Sequence, residues 1–419
     1  MKLMPSIKNY LALSILLVAM PLGAQTTPLT DYLLTAAENN PGLKADFANY
    51  LAAVEKVPQV GALPDPVAAF GYFASPTETR VGPVEAKISL SQRFPWFGLL
   101  DAKEDVASER AKVLLEGFEE RKAKLFYEVK SAYYDLYFVD SAIVITEENR
   151  EILETFRQLA LIKLESGKVS AVDELRVEMD LADLLNEIAR LQDRRYELQV
   201  RFNKLLNVHA ENEVVLPETL WEESLPEDRV GLFATIVERN HTVRQIDHKF
   251  TSWEHQKEVA KKEGKVDFNI GIDYSFVGSS RMPLPNPSES GQDTIVFPKI
   301  GVTIPLYRKK YRAMVAEASQ KLTASAFEKS ERINQLRTLF ERGYKEYRDG
   351  RRRIDLYVQQ CTIANEALDL LLATYATDGS NFEEVLRMER RVLGYGLALD
   401  RARSERNAAV AFIEYLQGG

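Results

Sequence analysis

From about residue 99 to 166 nothing in the sequence stops a helix: no proline intervenes, and apolar residues recur at the spacing of a packed seam. Leu125, Val129, Ala132, Leu136, Val139 and Ile143 stand 4, 3, 4, 3 and 4 residues apart, which keeps one stripe of a helix facing a neighbour. Phe126, Tyr133 and Tyr137 add a second stripe beside it. A helix with two seams has neighbours on two sides. At ~1.5 Å per residue it would be on the order of 100 Å long, against about 11 to 12 residues for an ordinary globular helix. No compact single domain needs such an element, so a wall or bundle of helices is predicted.

The helix is expected to stop at Glu165-Ser166-Gly167-Lys168, where glycine is a natural C-terminal cap, and Ser170 can cap the next one. That second helix, 170–207, carries Leu181, Leu184, Ile188, Leu191, Leu198, Phe202 and Leu205 on one side. The pair reads as a long antiparallel hairpin with a tight tip. Upstream, residues 29–60 read as a helix broken at Asn39-Asn40-Pro41, followed by two short strands, 67–74 and 87–94.

The order then repeats. A helix over 228–264 is interrupted at Arg239-Asn240-His241, strands follow at 266–276 and 297–304, and a long helix over 306–376 carries Tyr357, Cys361, Ala364, Leu368, Leu371 and Tyr375, again at 4, 3, 4, 3 and 4. Asp378-Gly379 ends it and a helix over 381–417 returns. Just past each tip sits a matching tetrad, Leu175-Arg176-Val177-Glu178 and Leu386-Arg387-Met388-Glu389, 211 residues apart. Two structural repeats are predicted, 25–215 with β-hairpin 67–94 and helical hairpin 99–207, and 216–419 with β-hairpin 266–304 and helical hairpin 306–417.

The strands are one-faced. Phe268, Ile270, Ile272, Tyr274 and Phe276 alternate with Asp267, Asn269, Gly271, Asp273 and Ser275, and Ile88 and Leu90 alternate with Lys87, Ser89 and Ser91. A soluble sheet with one buried face would read the same way, but so would lipid-facing barrel strands of ~9 to 11 residues. A membrane barrel must close, with about eight strands as the usual minimum. Four strands per chain therefore imply closure shared between copies, eight strands from two chains or twelve from three.

Composition and the N-terminus fit an exported envelope protein. Lys2 and Lys8 precede an apolar run from Tyr10 to Met20, and Leu22-Gly23-Ala24-Gln25 follows, so residues 1–24 read as a secretory signal peptide. A single cysteine, Cys361, excludes an intramolecular disulfide. The formal charge of −8 becomes −10 once Lys2 and Lys8 are removed, which argues against nucleic acid as the main partner.

Taken in order, several short signals resemble the outer-membrane efflux protein (TolC-like) family over residues ~25 to 417: the duplication, Leu63-Pro64-Asp65-Pro66, Phe94-Pro95-Trp96-Phe97-Gly98, Ala132-Tyr133-Tyr134-Asp135-Leu136-Tyr137, and Gly167-Lys168-Val169-Ser170 with Asp173. The resemblance implies a mainly helical fold with membrane β structure: a homotrimer with a periplasmic α-barrel and a shared twelve-strand β-barrel in outer-membrane lipid. It implies the passive exit duct of a tripartite efflux or type I secretion system, working with a periplasmic adaptor protein and an inner-membrane transporter. The junction of barrel and tunnel would lie at Pro95, Trp96, Phe97 and Pro305, where aromatic rings mark the membrane interface.

By the same resemblance, Gly167, Lys168, Val169, Ser170, Gly379, Ser380 and Asn381 would form the tips that meet the adaptor, with an entrance gate at Asp173, Tyr375, Glu384, Arg387 and Arg176. Asp173 and Tyr375 match positions that hold a closed entrance by hydrogen bonding. The chain departs from the pattern at Asn381, where an arginine would be expected, and at Arg387, where an acidic ring residue would be. Arg176 and Arg387 read equally well as ion pairs between hairpins.

Nothing in the sequence asks for catalysis or a cofactor. His209, His241, His248 and His255 form no metal-ligand motif and read as a solvated helix face, and Cys361 reads as a small packed hydrophobe. A periplasmic adaptor and a structural coiled-coil protein of the cell envelope are the alternative readings. The cargo is not legible.

Overall fold

The computed structural model describes residues 28–165, 170–283, 286–291, 295–378 and 382–419. The expected signal peptide and the tip residues Gly167, Lys168, Val169, Gly379, Ser380 and Asn381 lie outside the described residues. Three short helices, α1 (Pro28–Asn39), α2 (Pro41–Val54) and α3 (Lys56–Gly61), lead into β1 (Val67–Thr79) and β2 (Gly82–Phe94). The long α4 (Leu99–Glu165) and its return α5 (Ala171–Leu206) follow. The second half repeats the order with α6 (Arg229–Arg239), α7 (His241–Glu263), β3 (Asp267–Val277), β4 (Ile295–Thr303), α8 (Arg308–Asp378) and α9 (Phe382–Leu416). α4 and α8 run for 67 and 71 residues, about 100 Å each at the helical rise.

Contacts group the chain into two compact units, and each draws on both halves of the sequence. The first comprises residues up to Asn40, Glu128–Trp221 and Leu356–Ser404. Its core is aromatic: Tyr32, Tyr133 and Phe202 meet with centroids 5.1 to 6.2 Å apart, and Trp221 lies 6.3 and 6.2 Å from Tyr133 and Tyr134. This gives the Ala132–Tyr137 segment a structural purpose. The Tyr32 hydroxyl accepts from the Val215 amide at 2.9 Å and the Tyr137 hydroxyl from the Leu220 amide at 3.1 Å, so tyrosines satisfy the backbone of the irregular 207–228 segment. Burial, with Tyr32 nearby, pushes the Tyr133 hydroxyl up to about 12. Of the expected α4 seam, Val129, Ala132, Leu136 and Val139 are buried in this unit and Ile143 is half-buried, while Leu125, also buried, belongs to the second unit.

The second unit comprises Pro41–Tyr127, Glu222–Asp355 and Glu405–Gly419, and contains the sheet. Leu232, Phe233, Ile236 and Val243 of α6 and α7 close a core with Leu336 and Phe340 of α8 and Ile413 and Leu416 of α9. The predicted break at Asn240 is built with care: its side chain accepts from the amides of Thr242 and Val243, capping α7, and donates to the Leu416 carbonyl at 3.0 Å.

All four strands join one antiparallel sheet in the order β1-β2-β3-β4. Leu90 faces Ile272, and Ile270 faces Ile300, so the apolar residues of neighbouring strands share a face. The first hairpin is longer than the sequence reading has it. Strand pairing continues through Thr77, Glu78 and Thr79, leaving Arg80 and Val81 as the turn, because these polar residues pair with Val84, Pro83 and Gly82 beyond a register shift. Gly82 has φ +141, and a Cβ there would lie 1.8 Å from the Gly278 carbonyl oxygen, so the turn requires glycine.

Burial across this sheet is inverted relative to a soluble protein. Ile270 and Ile272 are 54% and 47% exposed while Asp273, between two lysines on the other face, is 3% exposed. Phe70, Tyr72, Ile88, Leu90, Val296, Ile300 and Val302 are likewise exposed. Such a contiguous apolar patch marks an interaction surface. Among the described residues no helix is long and apolar enough to cross a membrane, which says nothing of a β-barrel.

Candidate functional site

Three places carry the chemistry that the sequence singles out. The first is where strands become helices. Pro95 has no N–H for the ladder, the Trp96 carbonyl accepts from the Leu99 amide at 3.0 Å, and Gly98 turns the chain at φ +67. Trp96 stacks on Phe268 at 6.3 Å and 21°, and Phe97, 75% exposed, meets both rings at 5.8 and 6.0 Å. Arg93 pairs with Asp267, whose other oxygen accepts the Trp96 amide at 3.3 Å. On the second seam Pro305 is buried while Ile304, Leu306 and Tyr307 are exposed.

The second place is the end of the helical hairpins in the first unit. Ser170 caps α5 in a capping box with Asp173, and Asp173 also meets Arg176 at 3.5 Å. The Tyr375 side chain is fully buried, and among the described residues its hydroxyl makes no hydrogen bond. Burial pushes that hydroxyl up, and the Asp173 charge adds to the effect. The Tyr375 ring instead packs 4.8 Å from Phe382 in a cluster with Phe156, Val177, Val385 and Leu386.

Sequence reasoning missed the residue that reaches Tyr375. Lys163, in the last turn of α4 and itself buried, donates to the Tyr375 carbonyl and, at 3.4 Å, to that of Ala376, and its ammonium sits 4.2 Å over the Tyr375 ring. A lysine from one hairpin thus caps the C-terminal carbonyls of the long helix of the other. Two ion pairs join α5 to α9 nearby, Arg176 with Glu383 at 3.3 Å and Asp180 with Arg390 at 2.9 Å. Arg387 pairs with Glu384 on its own helix, Arg387 exposed and Glu384 half-buried. Of the five gate residues, then, Asp173, Arg176 and Tyr375 lie in this joint, and Glu384 and Arg387 form a surface pair.

In the same unit Glu389 is buried on α9. Asn149 donates to its Oε1 at 2.5 Å, and Oε2 has no partner among the described residues. Burial pushes this carboxyl above its usual range, against the pull of the Asn149 hydrogen bond. A raised carboxyl means that the folded chain holds the proton more tightly than the unfolded one, so no penalty exists below the ordinary value of about 4.3, and stability is lost as pH rises through the folded value. Glu389→Gln is therefore expected to stabilise the fold at pH 7 by about 1 kcal/mol, with the difference closing below about pH 4. Equal unfolding midpoints at pH 7 in calorimetry of the two proteins would refute this.

The third place is the sheet's polar face. The Asp273 carboxylate of β3 bonds Lys87 of β2 through Oδ2 and Lys299 of β4 through Oδ1, both at 2.5 Å. Opposite-charge pairs across neighbouring strands fix register.

The histidines correct the sequence reading. His209 is exposed as expected, but along α7 His241 Nδ1 meets Glu116 at 2.7 Å and His248 Nδ1 meets Glu109 at 2.8 Å in partly or largely buried pairs with α4, and the more exposed His255 Nδ1 lies 3.6 Å from Asp105. Arg244 takes the other Glu116 oxygen at 2.8 Å, and His241 Nε2 lies 3.2 Å from the Gly418 carbonyl. Burial pushes Glu109 up, but the hydrogen bonds and charges of Lys112 and His248 outweigh it and hold the carboxyl below its usual range. The signal was in the sequence: His241, His248 and His255 keep a seven-residue spacing that Glu116 and Glu109 repeat. Among the described residues no group of three or more histidine, cysteine or acidic side chains could hold a metal ion. Burial also pushes the Cys361 thiol up, away from the reactive thiolate.

Solved structures match the chain along nearly its whole length. VceC from Vibrio cholerae, an outer membrane protein, is 13% identical over 93% of this chain and 96% of its own, with a TM-score of 0.72. The open state of the MtrE outer membrane channel of Neisseria gonorrhoeae is 15% identical over 94% of this chain and 89% of its own, with a TM-score of 0.75. CusC, solved in a study of folding and transmembrane channel formation, is 14% identical over 94% and 92% with a TM-score of 0.77. No protein-family model and no curated protein matches the sequence. The chain has the fold of the TolC-like outer-membrane channels, mostly helical with a small antiparallel sheet.

Proposed function

We propose that this protein is an outer-membrane channel, the passive exit duct of a tripartite efflux or type I secretion system. The observation that carries this reading is the inverted sheet: an apolar face turned to the surroundings, and a four-stranded order whose outer strands, β1 and β4, are both edges. Hydrocarbon tolerates no open edge. Three copies, each pairing β4 with β1 of the next, would give a closed barrel of twelve strands, with the helices extending into the periplasm. Trp96, Phe97 and Tyr307 would then sit at the membrane interface. The neighbours' channel identity speaks against an enzyme, and energy would come from an inner-membrane transporter through a periplasmic adaptor that meets the tips around Ser170.

Fractionation tests the reading. Recovery as heat-sensitive trimers in the outer membrane is the expected result. Recovery as a soluble periplasmic or inner-membrane protein would favour an adaptor, and extraction by carbonate without detergent a structural coiled coil.

Opening would separate the α8–α9 hairpin from the α4–α5 hairpin, a two-state change biased by the adaptor. Exposed ion pairs such as Arg176 with Glu383 are worth ~0 to 1 kcal/mol, so Lys163, buried against the end of α8, is the stronger fastening. Lys163→Met keeps length and apolar contact but removes the donated hydrogen bonds, and is expected to raise the open fraction of single channels in planar bilayers severalfold. Arg176→Gln should have a smaller effect. Native gating in Lys163→Met would remove Lys163 from the gate.

A further inference from the structure

The polar face of the sheet holds one place where cations outnumber carboxylates in direct contact, and its layering is specific. Asp273 lies underneath, with a side chain 4% exposed and both oxygens engaged, while the side chains of Lys87 and Lys299 above it are 38% and 42% exposed. Whatever approaches this face meets two ammonium groups before it meets the carboxylate. Elsewhere on the ladder Arg93 pairs with Asp267, and toward the β1–β2 turn Glu78 forms no ion pair among the described residues, so the excess of cations is confined to this point of the sheet. The next acid along β2, Glu85 at the register shift, forms no ion pair among the described residues.

We infer that Lys87, Asp273 and Lys299 form an anion-attracting station that favours anions or anionic cargo over cations in transit. The inference rests on the duct reading above, which turns the polar face of the sheet toward the lumen and repeats the cluster three times around it. Two ammoniums sharing one carboxylate leave one excess positive charge per copy, and each keeps N–H donors free of Asp273 for carboxylate, sulfonate or phosphate oxygens. A ring of lysines in a pore selects for anions, and low-dielectric walls strengthen its field. The chain as a whole is acidic, at −8, so the cluster runs against the protein's average charge.

The test is the reversal potential of single channels in planar bilayers under a tenfold KCl gradient. The native protein is expected to prefer chloride. Lys87→Gln with Lys299→Gln should move the reversal potential toward the potassium side, lowering the chloride-to-potassium permeability ratio at least twofold. Asp273→Asn should move it the opposite way. A merely structural role as a strand staple would weaken heat resistance of the trimer in all variants without opposite shifts. Conducting variants with unmoved reversal potentials overturn the inference alone, as does a native preference for potassium. Absence of any conductance both in the native protein and in Lys163→Met overturns the duct reading and this inference with it. Should the double variant fail to assemble, Asp273→Asn and Lys299→Gln singly carry the same opposed signs and decide the matter.

Discussion

Replacing Ile272 with arginine is expected to keep the chain out of the outer membrane. Ile272 lies in the middle of β3, opposite Leu90, on the face whose apolar side chains are exposed. A lipid-facing arginine near the bilayer midplane costs about 2 to 4 kcal/mol, and a trimer would bear it three times. Ser89→Arg makes the matched control, since Ser89 faces Asp273 across the same two strands but on the polar side. The expected outcome is loss of the heat-sensitive trimer for Ile272→Arg and near-native recovery for Ser89→Arg. If both variants assemble equally well, the assignment of the two faces is wrong.

The second large effect is expected at Glu116. Its carboxylate is buried and holds His241 through one oxygen and Arg244 through the other. Removing Glu116 leaves the nearly buried His241 without its hydrogen-bond partner, a cost of about 1 to 3 kcal/mol, while Arg244, whose side chain is 49% exposed, returns to water. Glu116→Ala should therefore lower the unfolding midpoint more than any other change along this seam. The acid side chains become progressively more exposed, 5% for Glu116, 12% for Glu109 and 58% for Asp105. The losses should fall in that order, with Asp105→Ala close to native, as exposed pairs are worth ~0 to 1 kcal/mol. Equal midpoints for Glu116→Ala and Asp105→Ala would sink the argument.

What the sequence disclosed was whatever repeats with a fixed period. Because packing against a neighbour writes itself every three or four positions, heptad spacing located the seams of α4, α5 and α8, though Ile143, Leu181, Leu191, Leu205, Tyr357, Cys361 and Leu371 are only half-buried. The period of two in the strands gave both faces of the sheet, but not which faced water, since a soluble sheet and a lipid-facing one share one pattern. The exposure of Ile272 and the burial of Asp273 are what favour the lipid-facing reading proposed above. Polar contacts made across long stretches of chain were not legible. Lys163 reaches Tyr375 over 212 positions and Asn149 reaches Glu389 over 240, and neither lysine nor asparagine in a helix signals burial. The histidines were misread because their partners sit on a helix more than a hundred positions away.

The sheet order has a consequence for biogenesis. β2 is paired with β3, yet between Phe94 and Asp267 the chain builds the whole first helical hairpin and two further helices. The middle seam of the sheet therefore closes over a long loop, which makes it slow to form. Until β3 and β4 have been made, the β1–β2 hairpin has no further strand to pair with in its own chain. Helices can form early from local contacts, while the sheet must wait for the second repeat. A truncation ending near Leu206 would then leave a helical hairpin attached to two strands that nothing completes, a species for chaperones and proteases rather than a half-sized channel.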